Sequence, residues 1–148
     1  VRQQFLGLNK TVFSNLEYLY KEILEVRYSE TPRGELDHKK GREINAKITF
    51  HYYDGYLKCR EIFEGNQLIE YYYDWYANNG VIIQKFHAHY HPGGTPDEIT
   101  QFDPWHWHVP KNIEDFDGQR IPSIPGYSIH DVMGNDILPY ILRIRRSI

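Results

Sequence analysis

The chain has 148 residues, 41% of them hydrophobic, with a net charge of −3 when the histidines are neutral. This suits one domain with its own core and excludes a disordered chain, so a single domain over residues 1–148 is expected. The negative balance excludes a bulk pull on nucleic acid and leaves only a locally basic cleft, and the single cysteine, Cys59, excludes a disulfide framework or a cysteine-based zinc site.

No apolar run reaches membrane-spanning length, and the first residues lack a signal-peptide pattern, so the expected location is the cytoplasm. Aromatic residues are abundant, at 13 Tyr, 7 Phe and 3 Trp, which fits both a β-rich core and a binding surface.

In chain order, Ser14-Asn15-Leu16-Glu17 reads as a capping box, with Ser14 as N-cap and Glu17 reaching back. Leu16, Leu19, Tyr20, Ile23 and Leu24 follow at helical spacing, which predicts a helix over 14–27. Residues 28–43 are polar and broken by Pro32, Gly34 and Gly41, a loop made basic by Arg33, His38, Lys39, Lys40 and Arg42. Such a run is a solvated surface or a phosphate-steering arm.

A meander follows. Residues 44–53 alternate, with Ile44, Ala46, Ile48, Phe50 and Tyr52 on one face and Lys47, Thr49, His51 and Tyr53 on the other. Asp54-Gly55 predicts a two-residue hairpin turn. Residues 56–63 return, placing Leu57, Cys59, Glu61 and Phe63 on one face. Glu61 is the odd member, either an edge residue that reaches water or a carboxylate with a partner or a task. Gly65-Asn66 and Asn78-Asn79-Gly80 predict two more turns, around strands at 67–76 and 81–91.

Five of the eight histidines fall between residues 84 and 108: His87, His89, His91, His106 and His108. The first three share one strand face with Lys85 by alternation, while Phe86, Ala88 and Tyr90 take the other. His106 and His108 repeat the spacing on a short extended piece, WHWH. The loop PGGTPDEITQFDP joins the two and lets them converge. After Pro110 the chain reads as irregular. Ser128 can cap a helical turn with Asp131, Gly134-Asn135 interrupts it, and Asp136 caps a last helix. Arg143, Arg145 and Arg146 end that helix, where they suit its dipole or contact RNA or an acidic partner. The expected fold is α+β: an N-terminal helix, a four-stranded antiparallel meander with a short fifth strand, and C-terminal helical segments.

Two chemistries call for clustered imidazoles. A pair can give and take protons to cleave a phosphodiester without a metal, and HxH strands can also present ligands to a divalent ion. Solvent-facing histidines on a polar strand are the plain alternative.

Several motifs together resemble the TumE-type toxins of toxin–antitoxin pairs, over residues 40–110. They are CREIF at 59–63, a tyrosine-rich third strand, His91-Pro92, and FDPWHWH at 102–108. The family's run after Phe-Pro is His-His-Lys-His. Here Asp103 separates Phe102 from Pro104, and Trp105-His106-Trp107-His108 stands in its place. The family's Asp-Asn pair before His-Pro is replaced by His87-Ala88-His89-Tyr90. The resemblance implies growth inhibition by RNA cleavage and a helix-turn-helix antitoxin as partner.

On that reading His89, His91, His106 and His108 supply acid and base, and Glu61 orients one of them or is itself the base. Arg60 or Lys85 offsets charge on the phosphate. Tyr90, Trp105 and Trp107 stack on bases, with His87 beside the substrate. Arg60 and Glu61 point opposite ways on a regular strand, so only one can face the histidines. A second hypothesis is a metal protein with a cupin-like HxH site, holding a divalent ion through three or four histidines and Glu61. A third is a non-catalytic module with an aromatic interface.

Overall fold

A computed structural model describes residues 5–29, 42–89, 104–111, 115 and 118–146. The basic run Arg33–Lys40, Tyr90 and His91 lie outside these residues. Among the described residues the fold is α+β, with a seven-stranded antiparallel sheet in place of the expected four strands and a fifth. Helix α1 (Phe13–Leu19) precedes β1 (Ile23–Ser29), β2 (Arg42–Phe50), β3 (Tyr53–Glu64), β4 (Gln67–Tyr76), β5 (Ile82–Ala88), β6 (Trp105–Val109) and β7 (Gln119–Pro122). Each strand pairs with its neighbours in sequence, so the sheet runs β1 to β7 in order. A helical stretch closes the chain: one turn of α2 (Ile129–Asp131), a π-helical segment at Val132–Ile137, and α3 (Leu138–Arg146).

The helix expected over 14–27 is therefore half helix and half strand. The reason is a register shift between Ile23 and Glu25 in β1. It brings Ile23 and Val26, three residues apart, to the buried side. A bulged strand thus copies the spacing of a helix. The capping box does not form either: Val12 precedes the helix without a side-chain cap. The Glu17 carboxylate instead accepts the Val26 N–H at 2.7 Å, tying α1 to β1.

The Asp54-Gly55 turn is also displaced. Phe50 pairs with Tyr53, so His51 and Tyr52 make the turn, with Tyr52 at φ 60°. Asp54 and Gly55 are the extra residues of a register shift in β3. A side chain at Gly55 would displace the Tyr53 ring, whose hydroxyl accepts the Trp75 indole N–H at 3.0 Å. The turns at Gly65-Asn66 and Asn78-Asn79-Gly80 fall where expected.

Ser128 and Asp131 form the reciprocal capping box that the sequence predicts. Gly134 and Asn135 do not break the helix; the chain passes them as a π-helical turn. Asp136 lies inside this turn rather than capping a new helix, and its carboxylate accepts the Tyr127 hydroxyl at 2.6 Å. Strand β7, unexpected from sequence, arises because the backbone of 119–122 pairs with β6 despite Pro122 at its end.

One sheet face carries the core. Ile48, Leu57, Leu68 and Phe86 meet Phe13 and Leu16 of α1 and Met133, Ile137 and Ile141 of the C-terminal stretch, all at most 2% exposed. Cys59 belongs to this core, and burial, followed by the nearby Glu61, pushes its thiol well above the ordinary range. No helix among the described residues is long and apolar enough to cross a membrane.

Candidate active site

The histidines occupy the face opposite the core. Phe86 and Ala88 are fully buried on one side of β5, which sends Lys85 and His87 to the other. The β5–β6 register sets His87 opposite His106 and Lys85 opposite His108. Opposed residues share a face, so the two HxH segments converge as their spacing predicts. Ring centroids lie 4.7 Å apart for His87–His108 and for His89–His106, 5.1 Å for His106–His108 and 5.6 Å for His87–His106. The β5 end is held by the His89 N–H, which donates to the Pro104 carbonyl at 2.8 Å. His106 is 0% exposed, whereas His87, His89 and His108 are half-buried.

Arg60 reaches the same face through an unbroken cross-strand row: Asn45, Arg60, Tyr72, His87, His106. Its guanidinium lies 5.4 Å from the Tyr72 ring centre and pairs with Glu43. Tyr72 in turn stacks on His89 at 5.1 Å and meets His87 edge-on at 4.9 Å. Burial, and then Glu70, which accepts its hydroxyl at 3.0 Å, push the Tyr72 phenol up, so it stays a neutral donor. Asp74 Oδ1 sits 2.7 Å from His87 Nε2, an ion pair when the imidazole is protonated.

Glu61 lies on the other side. It is 0% exposed, so the edge position that reaches water does not occur. Its row partners are Tyr71, Ala88 and Trp105, all on the core face. Glu61 Oε1 accepts the Thr11 N–H at 2.8 Å, and Oε2 accepts the hydroxyls of Thr11 and Tyr73. Burial raises its pKa, partly offset by these donors. The carboxylate thus has a partner set of its own and is not brought to the histidines.

Trp105 and Trp107 also face the core. Trp107 packs edge-on against Phe86 and Tyr127, at 5.9 and 5.4 Å, and Trp105 lies 6.0 Å from Tyr71. The base-stacking role expected for them would need the opposite face. The aromatic that does stand among the histidines is Tyr72. Neither Tyr72 nor Asp74 stands out in the sequence, although alternation along YYYDW and the short Asn-Asn-Gly turn place both beside β5.

His87, His106 and His108 also offer one ligand atom each within 4.8 Å of one another, close enough to hold a single ion. A separate cleft of about 520 Å³, lined by Leu8, Val12, Leu16, Leu19 and Leu68 among others, opens on the helical side and includes none of these histidines.

No protein-family model, no curated protein and no solved structure matches the chain. The resemblance to TumE-type toxins therefore rests on the motifs themselves.

Proposed function

We propose that the chain is the toxin of a toxin–antitoxin pair, acting in the cytoplasm as a metal-independent endoribonuclease. The observation that supports this most is the opposition of His87 and His106 on one sheet face, with His89, His108, Arg60 and Lys85 around them. One imidazole takes the proton of a ribose 2′-hydroxyl, whose oxygen attacks the adjacent phosphorus. The bond from phosphorus to the 5′-oxygen breaks, and a protonated imidazole gives its proton to that oxygen. A 2′,3′-cyclic phosphate remains on one fragment and a 5′-hydroxyl on the other. Arg60 and Lys85 offset the charge that builds on the phosphate oxygens. Tyr72 is the aromatic positioned to pack on a base. A helix-turn-helix antitoxin encoded beside the gene restrains the activity.

The test is induced expression in a bacterial host, with wild type compared against His106→Ala plus His108→Ala and against His89→Gln. Growth arrest with new RNA fragments, lost in folded variants, supports the reading. Normal growth and intact RNA from soluble wild-type protein would sink it.

A metal-binding protein is the second reading, favoured by the 4.8 Å cluster of His87, His106 and His108. Asp74 on His87 Nε2 is the outer carboxylate that commonly orients a metal-ligating imidazole and leaves Nδ1 to bind. The described strands form one sequential sheet rather than the double-sheet jelly roll of cupins, so this reading keeps the ion and drops the cupin comparison. Elemental analysis of purified protein decides between the two.

A further inference from the structure

The histidine face carries a second row, one step along from the first. It reads Arg27, Lys47, Lys58, Asp74, Lys85, His108, Arg120 across all seven strands. The chain as a whole is net negative, at −3. Composition alone does not lead to such a row. Like charges directly opposite on neighbouring strands cost stability, and here three stand side by side at Arg27, Lys47 and Lys58. All three are exposed. Glu25 offsets Arg27 at 3.4 Å, and Glu43 offsets Arg60. Lys47 and Lys58 make no ion pair among the described residues; each ammonium lies over a tyrosine, Lys47 at 4.4 Å from the Tyr56 ring centre and Lys58 at 5.6 Å from that of Tyr76. Tyr56 and Tyr76 stack on each other at 5.2 Å, with 16° between their planes.

Arg27, Lys47 and Lys58 form a cationic run beside an aromatic platform; Asp74, engaged with His87, separates them from Lys85 and His108 at the histidine end of the row. At about 4.8 Å per strand the row runs roughly 24 Å from Arg27 to His108. We propose that the face binds single-stranded RNA laid across the strands, its phosphates along Arg27, Lys47 and Lys58 and its bases on Tyr56 and Tyr76. The partner is a polyanion with open base faces, because a duplex hides the faces that tyrosines stack on. An exposed cation–π contact is weak beside a phosphate contact combined with a base stack, so the lysines exchange ring for phosphate as the strand arrives. That the line delivers the strand to His106 and His108 for cutting rests on the nuclease reading above; the binding itself does not.

The experiment measures binding of the full chain to a short fluorescent single strand of 2′-O-methyl RNA, which lacks the nucleophile and so survives. The same strand annealed to its complement serves as the duplex comparison, over a series of salt concentrations. Wild type is expected to prefer the single strand. Lys47→Gln plus Lys58→Gln is expected to weaken binding roughly tenfold and to reduce the salt slope by about 1.4, twice the single-strand value per phosphate. Tyr76→Ala is expected to cost roughly tenfold, with Tyr76→Phe near wild type. No preference for the single strand, or affinity and slope unmoved by the lysine pair, overturns the proposal. Binding as described without cleavage of ordinary RNA leaves the track standing and removes the nuclease. Cleavage with binding indifferent to Lys47 and Lys58 does the reverse.

Discussion

The Asp74 carboxylate on β4 holds Nε2 of His87 on β5 at 2.7 Å, diagonally across the strand pair and two residues along from its own partner, Lys85. This contact fixes which ring nitrogen of His87 is engaged and which is left for chemistry. Asp74→Asn keeps the shape and removes the charge. On the proposed nuclease reading it is expected to lower the rate of RNA cleavage about a hundredfold, the scale of a positioned acid or base, with KM and melting temperature nearly unchanged. Steady-state kinetics on a fluorogenic RNA oligonucleotide check this; a parallel rise in KM would point to substrate binding instead.

Glu61 predicts a pH dependence of stability. Its folded-state pKa is raised by burial above the ordinary 4.5. The folded chain therefore holds this proton more tightly than the unfolded one. Its share of stability is full below 4.5, falls as pH rises towards the raised value, and is level above it. Glu61→Gln removes the titration and keeps an acceptor for the Thr11 N–H. Urea midpoints across this pH range are expected to decline in wild type relative to the Gln variant. Glu61→Ala leaves three donors without their acceptor and is expected to cost on the order of 3 kcal/mol or more at all pH values.

Trp107 separates packing from base stacking. On the core face against Phe86 and Tyr127, Trp107→Ala is expected to destabilise by about 3 kcal/mol by urea unfolding. Below its transition the variant is expected to bind single-stranded RNA as wild type does. A loss of RNA affinity in folded variant would return the indole to the substrate.

Metal removal addresses the histidines directly. On the nuclease reading proposed above, dialysis against EDTA is expected to leave RNA cleavage unchanged, since acid–base transfer needs only the imidazoles. Added zinc is expected to inhibit, by taking His87, His106 and His108. Activity lost on chelation and restored by one particular ion would favour the metal reading.

Much of the site is legible in the sequence because alternation on a strand is strict. Phe86 and Ala88 inward fix His87 outward, and the WHWH spacing does the same for His106 and His108. Which of Arg60 and Glu61 faces the histidines depends on register, and the hairpin at Gly65-Asn66 decides it for Arg60 through Tyr72. The elements that mislead are the irregular ones. The shifted register in β1 gives Ile23 and Val26 a helical interval, and Asp54-Gly55 serves a crowded strand rather than a turn. Strand β7 has little pattern of its own, since its place comes from pairing with β6. The row from Arg27 to Arg120 cannot be seen in one dimension at all, because it draws one residue from each of seven strands.

Cys59 gives the molecule a built-in record of its own opening. It is the single thiol, 3% exposed, and held protonated by its surroundings, so alkylating reagents and mild oxidants meet no nucleophile while β3 stays packed. Only a chain whose core has opened over β3 presents a reactive sulfur. Labelling with an excess of thiol reagent therefore counts opening events one molecule at a time, and the same seclusion spares the folded chain from covalent dimers through this residue.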